Sequence, residues 1–156
     1  MSARDWHQNL GNRLGLKMSY DEFKDVWNSA LDPEPIHPNT LFESLGKSYT
    51  LGLLSNTDPI HVAHLEATYK FFEHFPKPVR IYSCVAGSSK PNPLIFREAL
   101  RSCKVRADQA VYIDDIPAYA EAAKALGMTG IQFQSREQLL QDFRDLGISG
   151  PVEGTA

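Results

Sequence analysis

Cysteine is scarce: Cys84 and Cys103 are the only two in 156 residues, and neither stands in a C-x-x-C pair. Two cysteines make no disulfide framework, so both are expected as reduced, buried thiols of a cytoplasmic protein. Long apolar runs are missing too. A run such as Tyr49–Leu54 falls far short of the ~20 residues a spanning helix needs, so no membrane helix is expected. The first residues, MSARDWHQNLG, carry an early acid and no apolar stretch, and do not read as a signal peptide. There is no long basic run, and the formal net charge is −3, which argues against a nucleic-acid partner. Internal repeats and low-complexity tracts are absent as well.

What remains is ordinary for a globular chain, with 42% hydrophobic and 22% charged residues. The length suits one domain with a real core. Residues 1–48 read as helical. Arg4 to Leu14 is a predicted helix stopped by Gly15. Ser19-Tyr20-Asp21-Glu22 is a capping box, whose hydroxyl and carboxylate satisfy free N–H groups at a helix start. Phe23, Val26, Trp27 and Ala30 follow at spacings of three and four, giving one apolar face. The proline-rich stretch Asp32–Pro38 ends that helix, and a short one from Asn39 or Thr40 through Gly46 follows.

From residue 49 to 146 strands and helices alternate. Strands are predicted at Tyr49–Leu54, Val79–Val85, Ala110–Ile113 and Thr129–Phe133. Helices are predicted at Pro59–Phe72, Asn92–Cys103, Pro117–Leu126 and Ser135–Leu146. This alternation is the signature of parallel βαβ units. The fold class is therefore α/β: a three-layer, Rossmann-like parallel sheet of about four strands with helices on both faces. The nearly continuous apolar strands predict burial on both faces. A small, polar tail, 147–156, is expected to be loose.

Polar clusters follow three of the strands, where ligands bind in open parallel sheets. They are Ser55-Asn56-Thr57, Ser88-Ser89-Lys90-Pro91-Asn92-Pro93 and Asp114-Asp115. A hydroxyl, helix-terminal N–H groups and a lysine suit a phosphate dianion. Adjacent carboxylates suit Mg2+, a hard cation that prefers oxygen. Each piece also has a plainer reading: Ser55 as a helix cap, Lys90 as a solvated loop lysine, the Asp pair as a turn. Two like charges at a buried strand end are costly without a cation, and three such clusters in this order are more specific than any one.

The segments LGLLSNTDPIHV, SSKPNPLIFREAL and VYIDDIPAYAEAAKALGMTGIQF resemble motifs II, III and IV of the haloacid dehalogenase superfamily. The early helices resemble the later part of the small helical cap of its capped phosphatase and dehalogenase branch. The resemblance implies that Ser55 and Asn56 bind the phosphoryl group and that Lys90 stabilises its charge. It implies that Asp114 and Asp115 hold Mg2+. Asn92 departs from the usual Asp of motif III, and Tyr119 stands where an Asn is common.

Motif I, a strand ending in the nucleophilic Asp, has no counterpart in residues 1–54. Asp5, Asp21 and Asp25 lie in helical stretches and Asp32 in a proline-rich turn. The resemblance places the missing strand between those that carry Ser55 and Asp114. Its loss predicts two open apolar edges, met by direct pairing, by exchange in a homodimer or by a strand from another chain. Pairing between copies is the favoured expectation. The implied activity is a Mg2+-dependent phosphatase for small phosphate monoesters with a substitute nucleophile, such as Asp114, Asp115, Asp58 or water. The alternative is a non-catalytic relative that binds phosphate ligands or a partner chain. Dehalogenation needs the same Asp. Outside the motifs, His61 and His64 form a possible metal pair without a third ligand. Cys84, Phe71, Phe72, Phe75, Trp6 and Trp27 read chiefly as core.

Overall fold

Serine starts three of the helices. Ser2, Ser19 and Ser135 each accept from the backbone three residues on, and Asp5, Glu22 and Gln138 reach back to the cap. These boxes open α1 (Ala3–Leu14), α2 (Tyr20–Asn28) and α8 (Arg136–Asp145). Gly15 closes α1 in the left-handed region, at φ 67°. The computed structural model describes residues 2–32 and 37–149. The predicted proline-rich stop is outside the described residues at 33–36, as is the tail from 150 onward.

Between these helices run α3 (Asn39–Gly46), β1 (Leu53–Ser55), α4 (Pro59–Thr68), β2 (Arg80–Tyr82), α5 (Ser83–Ala86), α6 (Pro93–Cys103), β3 (Val111–Asp114), α7 (Pro117–Lys124) and β4 (Thr129–Gln132). The α/β architecture with parallel strands is as the alternation implied. The strands form two parallel pairs, β1–β2 and β3–β4, and no ladder joins the pairs among the described residues. Register sets Leu54 beside Ile81, and Tyr112 beside Gly130.

Strand alternation sorts the side chains onto two faces. Leu54, Ile81 and Tyr112 pack with Ile95, Phe96 and Ala123 of α6 and α7. Ile95 and Phe96 are fully buried, so α6 is the apolar join between the two pairs. On the other face, Leu53 and Tyr82 pack with Leu65, Tyr69 and Phe72. Ile131 packs with Leu41, Leu139 and Phe143. Gly130 permits close approach of α7: a Cβ there would lie 2.3 Å from the Ala120 carbonyl oxygen. Trp6, Phe23 and Trp27 form one aromatic cluster, and Phe42, Phe71 and Phe75 another, as core readings of those rings required.

Several expectations fail for tertiary reasons. β3 is not buried on both faces: Val111 is 38% and Ile113 37% exposed, and they share the face that β3 leaves uncovered. Val26 lies off the apolar face of α2, at 61% exposure. The predicted strand Val79–Val85 is only three residues long, because the chain turns at Ser83 into the one-turn helix α5. The predicted helix Pro59–Phe72 ends at Thr68, where Tyr69 turns extended and its hydroxyl donates to the Asp32 carbonyl. Both cysteines are free and half-buried. Among the described residues, no helix is long and apolar enough to cross a membrane.

Candidate functional site

The three polar clusters predicted at strand ends come together. Ser55 ends β1, Lys90 sits in the loop before α6, and Asp114 ends β3. Lys90 Nζ lies 2.6 Å from Asp114 Oδ2, with the two side chains only 9% and 7% exposed. This ion pair bridges the β1–β2 and β3–β4 pairs. Asn56 fastens the lysine loop from the other side. Its Nδ2 donates to the Lys90 carbonyl at 3.0 Å, and its Oδ1 accepts from Lys90 N–H at 2.8 Å. Asn92 caps α6 by accepting from Leu94 N–H at 3.0 Å.

Two supports were not read from the sequence. Tyr112, two residues before Asp114 on the same strand face, donates its hydroxyl to Asp114 Oδ2 at 2.5 Å. The spacing of two in a strand was the available signal. Ser83 holds both backbone groups of Thr57, accepting from its N–H at 2.9 Å and donating to its carbonyl at 3.1 Å. No local pattern announces that contact.

Asp114 also accepts from Ile116 N–H at 3.0 Å, through Oδ1. Burial pushes its carboxyl up, but the Lys90 ammonium, the Tyr112 hydroxyl and the Ile116 N–H outweigh it and hold the group below the ordinary carboxylate range. Burial, reinforced by the neighbouring Asp114 carboxylate, pushes the Tyr112 hydroxyl up, so it remains a donor. Asp115 is exposed, and its backbone carbonyl accepts from Gln132 Nε2 at 3.3 Å.

The donor set fits a magnesium ion that keeps much of its water. Oδ2 of Asp114 is filled by two donors, whereas Oδ1 takes one N–H and keeps a lone pair. The exposed Asp115 carboxylate stands available as a second oxygen donor, and Mg2+ commonly takes only one or two carboxylates plus water and phosphate. No cluster of three or more His, Cys, Asp or Glu exists among the described residues.

The remaining candidates have structural work. Asp58 caps α4 by accepting from Ile60 and His61 N–H, and it accepts from Trp27 Nε1 at 2.9 Å. His61 stacks on Trp27 and reaches Asp58 Oδ2 and the Trp27 carbonyl with its two ring nitrogens, so it forms no metal pair with His64. Burial pushes the Cys84 thiol up, away from the reactive thiolate.

A family model described as haloacid dehalogenase-like hydrolase matches residues 12–127. The D-ribitol-5-phosphate phosphatase of Bacteroides thetaiotaomicron is 27% identical over 138 residues, covering 85% of this chain and 66% of that protein. The chloroplastic flavin mononucleotide hydrolase 1 of Arabidopsis thaliana is 36% identical over 70 residues, covering 45% of this chain and 29% of that protein. The chain thus spans less than two thirds of the length of each. Among solved structures, a haloacid dehalogenase family enzyme from B. thetaiotaomicron, in complex with magnesium and inorganic phosphate, superposes with a TM-score of 0.73 at 23% identity, over 89% of this chain and 74% of its own. A predicted family hydrolase from Porphyromonas gingivalis gives a TM-score of 0.73 at 24% identity, over 96% and 75%. At these identities the structural likeness speaks for the fold alone.

Proposed function

The chain belongs to the haloacid dehalogenase-like hydrolase family, and we propose that its site binds the phosphoryl group of a small phosphate monoester together with Mg2+. One observation carries this reading. Lys90 and Asp114, 24 residues apart, meet as a buried ion pair at 2.6 Å where the strand ends converge. A buried pair of this kind is a poor stabilising device, and hydrophobic residues of similar volume often serve stability as well or better. Its place between a serine loop and a second aspartate is therefore better explained by chemistry.

In this reading the Ser55 hydroxyl and Asn56 loop contact phosphoryl oxygens, and Lys90 supplies an ammonium to them. Asp114, through Oδ1, and Asp115 hold Mg2+. When bound there, Mg2+ would supply positive charge to the phosphoryl group. The relative that is a D-ribitol-5-phosphate phosphatase supports the substrate class, and the solved neighbour that shares the fold was itself obtained with magnesium and inorganic phosphate. Residues 1–48 act as part of a helical cap over a core of 49–146. The open edges of β1 and β3, with Val111 and Ile113 exposed beside them, are completed by pairing with a second copy. Light scattering then reports a dimer, and a monomer at every concentration overturns that part.

The donor sets of Asp58 and Asp114 favour a second reading, a phosphate binder without turnover. Asp58 and Asp114 are two of the three acids offered as substitute nucleophiles, and each is occupied by donors from the protein. Among the acids proposed for the task, only Asp115 is exposed. Calorimetry with inorganic phosphate and Mg2+, beside hydrolysis of an aryl phosphate, separates the readings. Turnover that requires Mg2+ and falls in Lys90→Ala and Asp114→Asn establishes the phosphatase. Binding without turnover establishes the binder, and absence of phosphate binding rejects both.

A further inference from the structure

Tyr119 is the site residue for which the phosphate-binding reading has no task. It lies in α7, half-buried, against the core that Ile95, Phe96 and Tyr112 form. Lys90 Nζ stands 4.9 Å from its ring centroid, inside the ~6 Å range of a cation–π contact. Its hydroxyl oxygen accepts from Asn56 Nδ2 at 3.3 Å. One side chain thus touches the loop after β1 and the lysine before α6 while rooted beyond β3.

These contacts complement those of Asn56. Asn56 grips the Lys90 backbone at both its N–H and its carbonyl, which fixes the loop and leaves the ammonium to be held by other groups. Asp114 attracts the ammonium, but a Mg2+ ion at the same carboxylate competes for that charge. The Tyr119 ring face attracts the ammonium independently of the carboxylate. We infer that Tyr119 is a positioning residue: its ring holds the Lys90 ammonium toward the bound phosphoryl group while Asp114 serves the metal, and its hydroxyl ties the Asn56 loop to the same post.

This inference rests on the phosphate reading of the site, and the test separates the two. The first measurement needs no ligand. The Lys90 side-chain Hε protons, assigned by their loss in Lys90→Arg, are expected upfield of ordinary lysines in the full chain, and because the Tyr119 ring is nearer at 4.9 Å than the Tyr112 ring at 6.0 Å, most of that shift is expected to vanish in Tyr119→Leu. An ordinary shift overturns the inference. The second measurement is calorimetric binding of inorganic phosphate with Mg2+. Tyr119→Leu is expected to weaken it on the order of tenfold, the size of a partly desolvated cation–π contact. Tyr119→Phe, which keeps the ring, is expected to retain the upfield shift and lose no more than about threefold, the value of one neutral hydrogen bond at the low end. Equal affinity in Tyr119→Leu and the unaltered chain overturns the inference, as does a Phe variant as weak as the Leu variant. If the unaltered chain binds no phosphate, the reading of the site fails, while the ring-current result still decides whether Tyr119 holds Lys90.

Discussion

Asp58, at the end of the loop after β1, and Asp114, at the end of β3, are both nearly buried carboxylates, and they differ in the donors they meet. Asp58 is surrounded by neutral and backbone donors: two helix N–H groups and the Trp27 indole, with the His61 ring beside it. It closes a helix and pins α2 to α4 across 31 residues. Asp114 faces a full cation, Lys90, and has the exposed Asp115 as its neighbour. One carboxylate is saturated by the protein. The other keeps a lone pair and an accompanying acid, which is what a metal requires. Donor type and residual capacity, rather than burial, separate the structural acid from the one proposed to hold a metal.

The sharpest way to break this contrast is at Asp58. Asp58→Ala removes the cap and leaves the Trp27 indole unpaired, at an expected cost of about 2–4 kcal/mol by urea unfolding. Asp58→Asn restores the cap, but its amide cannot accept from both Trp27 and the α4 N–H groups, so recovery is expected to be partial. A loss within about 0.5 kcal/mol for Ala would show that the latch contributes little.

Lys90→Met comes next. It leaves Asp114 buried without its cation, and about 1–3 kcal/mol of stability is expected to be lost, because Tyr112 and Ile116 N–H still donate. Phosphate binding is expected to fall well beyond what the stability change implies. A Lys90→Met chain that binds phosphate normally would return Lys90 to a structural role.

Asp114 has a pH signature. Its folded carboxyl lies below the ordinary value, so its contribution to stability is fully present above the unfolded pKa and is lost as pH falls through the folded one. Melting temperature should therefore drop more steeply below about pH 4 in the unaltered chain than in Asp114→Asn. Parallel curves would contradict the assigned donor set. The smallest effect belongs to Asp115→Asn. Stability should change by no more than about 0.5 kcal/mol, as for exposed positions, while Mg2+ affinity measured by titration falls. Unchanged metal affinity would remove Asp115 from the ion's ligands.

Much of this was legible in short stretches. The Ser19 box sits as read, because a cap and its reciprocal partner are three residues apart, and the last helix begins at Ser135 as predicted. Ser55, Lys90 and Asp114 were placed at strand ends by order and apolar pattern alone. Other features depend on neighbours remote in sequence. The exposure of Val111 and Ile113 follows from what fails to cover one face of β3, and Val26 from where α4 meets α2. Asp58 reads from the sequence as a candidate nucleophile in a polar turn, since its indole partner lies 31 residues earlier. Tyr119 registered as a departure from a pattern, and only the folded chain sets its ring against Lys90.

The amino-acid order by itself determined the alternation of strands and helices, their caps and the three polar clusters, because these depend on local periodicity and on hydrogen bonds within a few residues. Tertiary structure alone decided that the strands form two pairs joined by α6, that Lys90 closes onto Asp114, and that Asp58 serves the helices. Those outcomes depend on burial and donor competition between segments far apart in the chain, where no local spacing records which partner wins.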